Sequence, residues 1–168
     1  MLLKSDEVRR IVTRIGDIFC IEIDNDYKVY FQYIANDMTV LNSSVIRVFA
    51  RRYPLGYIPV FEDIVKDDVM FYAHTILRFG IIYNAWYKVG KNADVGETKE
   101  ISFRWVSEID ISKINKSHNW SVWKINQDHV FIGDMSDQYK HIDLGIVFSY
   151  RDIVNKVKNG KYLLKEID

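Results

Sequence analysis

The sequence predicts a mainly β domain of the α+β class. Its sheet is largely antiparallel, with a barrel-like closure as one form it could take, and it is joined by a short mid-chain helix and an amphipathic C-terminal helix. Three observations predict this. Aromatic residues make up 14% of the chain, with eleven Tyr, nine Phe and four Trp, and such side chains favour pleated, half-buried surfaces. Short segments of alternating apolar and polar residues recur between polar turns, the spacing of antiparallel sheets. After Ser149 the pattern switches to the 3.6-residue period of a helix.

Taken in order, Val8, Ile11, Val12 and Ile15 lie at helical spacing, and Ser5 is placed to cap them, which predicts a short helix or turn. "GDIFCIEID", from Gly16 to Asp24, reads as a strand: Ile18, Cys20 and Glu22 face one way, and Phe19, Ile21 and Ile23 face the other. "DNDYK" reads as a turn, because Asp and Asn bond their own backbone and tolerate left-handed dihedrals. "KVYFQYIAND" then completes a hairpin, and "SSVIRVFARRY" supplies a third strand. Pro54 and Pro59, the two prolines of the chain, bracket a connection that leaves the sheet. "VFEDIVKDD" reads as one or two helical turns, with Phe61, Ile64 and Val65 on one side and acids on the other. "FYAHTILRFGIIYNAWYKVG" reads as a strand, a bend near Gly80, and further strand. "KNADVGETKE" is a polar loop, and "ISFRWV", "WSVWKI" and "HVFIGD" are short strands. Tyr150, Ile153, Val154 and Val157 form the apolar stripe of the C-terminal helix. Ser149 with Asp152 forms its capping box, and Gly160 suits the left-handed position that ends it. "KYLLKEI" is expected to return as a final strand.

Length and composition predict one domain over residues 1–168. A chain of this length buries roughly 70% of the surface its unfolded form exposes, so it needs neither disulfide nor metal to hold together. Lys and Arg number 23 and so do Asp and Glu, a balance that argues against non-specific nucleic-acid binding. Cys20 is alone, which excludes an internal disulfide and fits a reducing compartment. Charges from Lys4 onwards interrupt any signal-peptide core, and no apolar run approaches the ~20 residues of a membrane helix. A soluble, cytoplasmic protein is expected.

Residue chemistry offers little catalytic machinery. His74, His118, His129 and His141 make no metal-like pair with another His or Cys, and no HExxH is present. No nucleophile elbow and no phosphate-binding glycine loop occurs. His74, among Phe71, Tyr72 and Ile76, reads as a desolvated, neutral core histidine bonded to backbone or to a hydroxyl such as that of Thr75. Cys20 reads as a buried strand thiol. Two charge clusters remain: Arg47, Arg51 and Arg52, with Lys28 nearby, and the acids Glu62, Asp63, Asp67 and Asp68. Each reads first as a solvated face. The functional alternative is that the four acids present a negative patch to a basic partner, steering its approach.

"GDIFCIEID", "YFQYIAND", "LNSSVIRVF" and "FYAHTILRFG…AWYKVG" together resemble the immunity proteins of bacterial polymorphic-toxin systems, specifically family 26. The resemblance runs from about Gly16 to Gly90. It implies a non-enzymatic, cytoplasmic protein without cofactor that binds a cognate toxin domain and neutralises it. It transfers no binding residues, since the matching positions are those expected to build the sheet. Glu62, Asp63, Asp67 and Asp68 are therefore the partner-binding candidates of the chain itself. "RIGDIFCIEID" also resembles the opening strand of SH3-like-barrel endoribonuclease toxins, which would make Arg47 or Arg51 a candidate for RNA cleavage. The neutral charge and the absence of those toxins' arginine-proline strand speak against that. A mobile-element adaptor or structural domain is the third alternative.

Overall fold

The computed structural model describes residues 10–165 and 167. The first part of the chain runs through strands β1 (Asp17–Ile23), β2 (Tyr27–Asp37), β3 (Ser43–Phe49) and β4 (Tyr53–Pro54). Helix α1 (Phe61–Ile64), strand β5 (Val69–Thr75), helix α2 (Leu77–Ile82) and strand β6 (Tyr87–Lys91) follow. The remainder comprises β7 (Ser102–Val106), β8 (Trp120–Lys124), β9 (Val130–Gly133), β10 (Asp143–Leu144), β11 (Val147–Phe148) and helix α3 (Tyr150–Asn159). The protein is thus mainly β, with mostly antiparallel sheets. The first sheet has the order β11-β5-β3-β2-β1-β6, with β4 against the start of β2, and the second has the order β10-β7-β8-β9. Both sheets are open rather than closed into a barrel. Their two parallel pairings, β11 with β5 and β10 with β7, lie at sheet edges.

The alternation of β1 explains how the first sheet is covered. Phe19, Ile21 and Ile23 join Val29, Phe31, Ile46, Val48, Phe71 and Ala73 under α2 and α3, in a core that Val106, Trp120 and Leu144 of the second sheet extend. Ile18 and Cys20 point the other way, to Tyr30, Phe49, Tyr53, Ile64 and Val65 beneath α1. Further along that same face, Ile34, Ala35 and Val45 pack against Phe103, Trp123 and Ile125 of the second sheet. An irregularity in the β2–β3 pairing between Tyr33 and Ala35 turns Ala35 onto this face beside Ile34 and Val45. Because both faces are buried, β1 to β3 carry apolar residues on both faces, interrupted by buried polar groups at Asp17, Gln32, Asp37 and Arg47.

The local predictions hold at the turns and at the last helix. Asp24 and Asn25 take φ of 51° and 52° in the β1–β2 turn. Ser149 accepts from the Asp152 amide while the Asp152 carboxylate receives the Ser149 amide, and Gly160 ends α3 at φ 77°. Two expectations need correction, and a third is narrowed. Ser5 and Val8 lie outside the described residues, and of the short helix or turn expected after them, residues 10–14 form no helix and lead into a turn. The Arg14 amide donates to Asp17 Oδ2 at 2.8 Å and the Asp17 amide donates to the Arg14 carbonyl at 3.0 Å, which locks that turn. The bend near Gly80 is helix α2. Its Gly80 lies so close to Trp86 that a Cβ would stand 1.9 Å from the indole, whose Nε1–H donates to the Leu77 carbonyl at 3.0 Å. Residues 161–165 and 167 form no strand. Tyr162 instead buries its ring on Phe148 at a centroid distance of 3.6 Å. Among the described residues, no helix is long and apolar enough to cross a membrane.

Candidate functional site

His74 is fully buried, as the sequence predicts, but its partner is neither backbone nor hydroxyl. Its Nε2 lies 2.9 Å from Oδ2 of Asp37, which is itself fully buried. The same oxygen accepts from the Trp123 indole at 2.9 Å, and Oδ1 accepts from the Asn126 amide at 3.2 Å. Burial alone would push the Asp37 carboxyl up. The Trp123 and His74 hydrogen bonds and the Asn126 amide outweigh it and hold the group below its ordinary range. Burial likewise pulls the His74 imidazole below its ordinary value, against the opposing effect of Asp37. A neutral imidazole donating from Nε2 to an ionised Asp37 satisfies both directions, and it leaves the buried Nδ1 as a lone pair without a partner. The arrangement joins β2 and β5 of the first sheet to β8 of the second. With both side chains sealed from solvent, its work is to bolt the sheets together.

A second polar group separates the two small cores on that face. Gln32 of β2 and Arg47 of β3 stand opposite each other, and both are buried. Arg47 Nε donates to Gln32 Oε1 at 3.0 Å and Nη2 to the Asp94 carbonyl at 2.8 Å. Gln32 Nε2 donates to the Asn92 carbonyl at 2.8 Å. Arg47 is therefore no part of a solvated basic face, because it pins the 92–96 loop across the sheet. Arg51 remains exposed beside Asp67 at 3.7 Å, Arg52 stacks over Tyr27 at 4.3 Å, and Lys28 donates to the Tyr57 carbonyl at 3.3 Å. The quoted motifs do related work. Asp17 binds Lys88 at 2.7 Å, tying the GD strand start to the W-x-K-V-G strand. Gly16, at φ 97°, donates to the Tyr33 carbonyl and receives the Asn92 amide.

The acidic candidates gather on and after α1 but divide into two kinds. Asp67 is engaged: it accepts from the Tyr53 hydroxyl and faces Arg51. Burial and this carboxylate push the Tyr53 phenol well up. Glu62, Asp63 and Asp68 are exposed, and none makes an ion pair among the described residues. Three aliphatic side chains of the preceding connection are exposed with them, Leu55, Val60 and Ile58, the last at 83%. Helix α1 is held by Ile64 and Val65 in the core beneath, so its acids are presented on a fixed base. The surface combines aliphatic area with free carboxylates at its rim. Sequence reading found the acids and passed over Ile58, which looked like part of an ordinary connection. It also passed over Asp37, Gln32 and Trp123, whose partners lie far away in sequence.

Among the described residues no cluster of His, Cys, Asp and Glu could hold a metal ion. Comparison with models of known families, with curated proteins and with solved structures returns no match.

Proposed function

We propose that the protein is an immunity protein that captures a cognate bacterial polymorphic toxin and neutralises it by protein–protein contact in the cytoplasm. The observation that carries this reading is the α1 face, where exposed Ile58 and Val60 adjoin the unpaired carboxylates of Glu62, Asp63 and Asp68. The aliphatic groups would be desolvated against the partner while the carboxylates steer a basic surface towards them. The resemblance over residues 16–90 supports the same reading, and α1 lies within that span. No cofactor is called for. A stable complex of this kind buries about 800 Å² on each partner.

Affinity capture from a lysate of the encoding cells, with the bound proteins identified by mass spectrometry, tests it. The reading expects one large secreted protein, held through its C-terminal domain. Recovery of RNA fragments, or of further copies of this chain alone, would favour the nuclease or adaptor alternative instead.

A further inference from the structure

A second surface carries the opposite charge. Thr75 ends β5, and the chain then exposes Ile76 before entering α2. Ile76, Phe79 and Tyr83 meet Val147 of β11 and Tyr150 of α3 around an open cavity of about 340 Å³. Tyr83 and Tyr150 stack at 5.0 Å, which fixes one wall of the cavity. This side chain set is apolar or aromatic, yet Ile76, Phe79, Tyr83 and Val147 are all exposed. Two guanidinium groups flank it: Arg78 stands over the Phe79 ring at 5.2 Å and Arg151 over the Tyr150 ring at 5.7 Å. Arg151 also donates from Nε to the Tyr150 hydroxyl at 3.2 Å. Both arginines are exposed, and neither makes an ion pair among the described residues. The cavity adjoins β11, which is the edge strand of the first sheet.

We propose that this surface is a docking site for an extended, acidic segment of a partner protein, with an aromatic or branched aliphatic side chain in the cavity and flanking carboxylates on Arg78 and Arg151. The charge decides between occupants. A neutral apolar segment would leave both guanidiniums without counter-charge at a desolvated edge, and a basic one would be repelled. Arginine presents a planar fork that matches a carboxylate bidentately, and its stacking on a ring holds that fork in place. The open strand edge offers backbone groups to an added extended segment. The site is distinct from the α1 face, which covers the opposite side of the first sheet, and it selects a partner segment of opposite charge. It rests on the reading of the protein as a binding module, but not on which partner the α1 face takes.

The test is selection from a displayed library of random short peptides against the full chain. Selected peptides are then titrated by fluorescence polarisation against three proteins: the wild type, an Arg78→Glu/Arg151→Glu variant, and a Glu62→Lys/Asp63→Lys variant. Circular dichroism confirms that each variant is folded. The proposal expects peptides with an apolar residue between acids, binding weakened roughly tenfold or more by the arginine changes and unaltered by the acid changes. It is overturned if no sequence is enriched, or if the enriched peptides lack acids. Equal binding to the arginine variant overturns it too, as does sedimentation showing that the wild type pairs with itself through this surface. An outcome in which only the acid changes matter removes this proposal and leaves the α1 reading standing.

Discussion

Asp37 accepts hydrogen bonds from two side chains and one backbone amide without meeting water, so each donor depends on it. Asp37→Ala would strand two buried side-chain donors and the Asn126 amide, and is expected to cost about 3–5 kcal/mol in chemical denaturation. His74→Ala removes one of those donors and opens a cavity beside Phe103, whose ring centroid lies 4.2 Å away. An expected loss is about 2–4 kcal/mol. An unchanged midpoint in either variant would contradict the role given to the pair. The pH dependence follows from the lowered value of His74. Below its ordinary value of 6.5 the unfolded chain takes up a proton that the folded chain resists, so stability falls as pH drops from there. Asp37, also lowered, adds a further loss below its ordinary 3.8, while Asp143, pushed up by burial, acts in the opposite sense near the same value. His74→Gln should abolish the part of the slope that begins near pH 6.5, measured as unfolding free energy at several pH values. The burial and neutrality of His74 were legible from its apolar neighbours. Its partner was not, because residues 37 and 74 meet only through the pairing of β2, β3 and β5, and no local pattern encodes that.

At the scale of elements, what was legible is what local chemistry decides. The period-2 strands, the Asp24–Asn25 turn and α3 with both its caps are set by neighbours in sequence. Ser149→Ala should accordingly cost about 1 kcal/mol, read from thermal or denaturant unfolding. Helix α2 shows the limit of that reasoning. "LRFGII" is apolar and short, and β-branched residues with a central glycine favour strand or bend by propensity. Docking of the Trp86 indole against Gly80 decides otherwise, since the ring occupies the space a side chain would need. Gly80→Val is therefore expected to destabilise by about 3 kcal/mol or more, with a fall in the midpoint of denaturation. A variant as stable as wild type would show that α2 does not depend on this approach. The strands β10 and β11 were missed for a related reason. At two residues each they carry no period, and they pair in parallel with segments far away in sequence.

For the whole molecule, zero formal charge hides an uneven surface. Free carboxylates gather over α1, while unpaired arginines gather at the β11 edge on the other side of the sheet. Composition excluded a uniformly basic surface but could not show this separation, which arises from how the chain crosses the sheet between Asp68 and Arg78. The basic run from Arg47 to Arg52 divides: Arg51 and Arg52 stay exposed, as a solvated face requires, while Arg47 leaves it. Gln32 and the 92–96 loop claim Arg47 for the interior, where burial draws its guanidinium below its ordinary value. Partner capture through the α1 face remains the central claim. It is tested most directly by the association rate between the captured toxin domain and two proteins, the wild type and a Glu62→Lys/Asp63→Lys/Asp68→Lys variant, at low and at high salt. The account predicts an association rate at least roughly tenfold lower for the variant at low salt, with the difference shrinking as salt rises. Equal rates for the two proteins at low salt would contradict it.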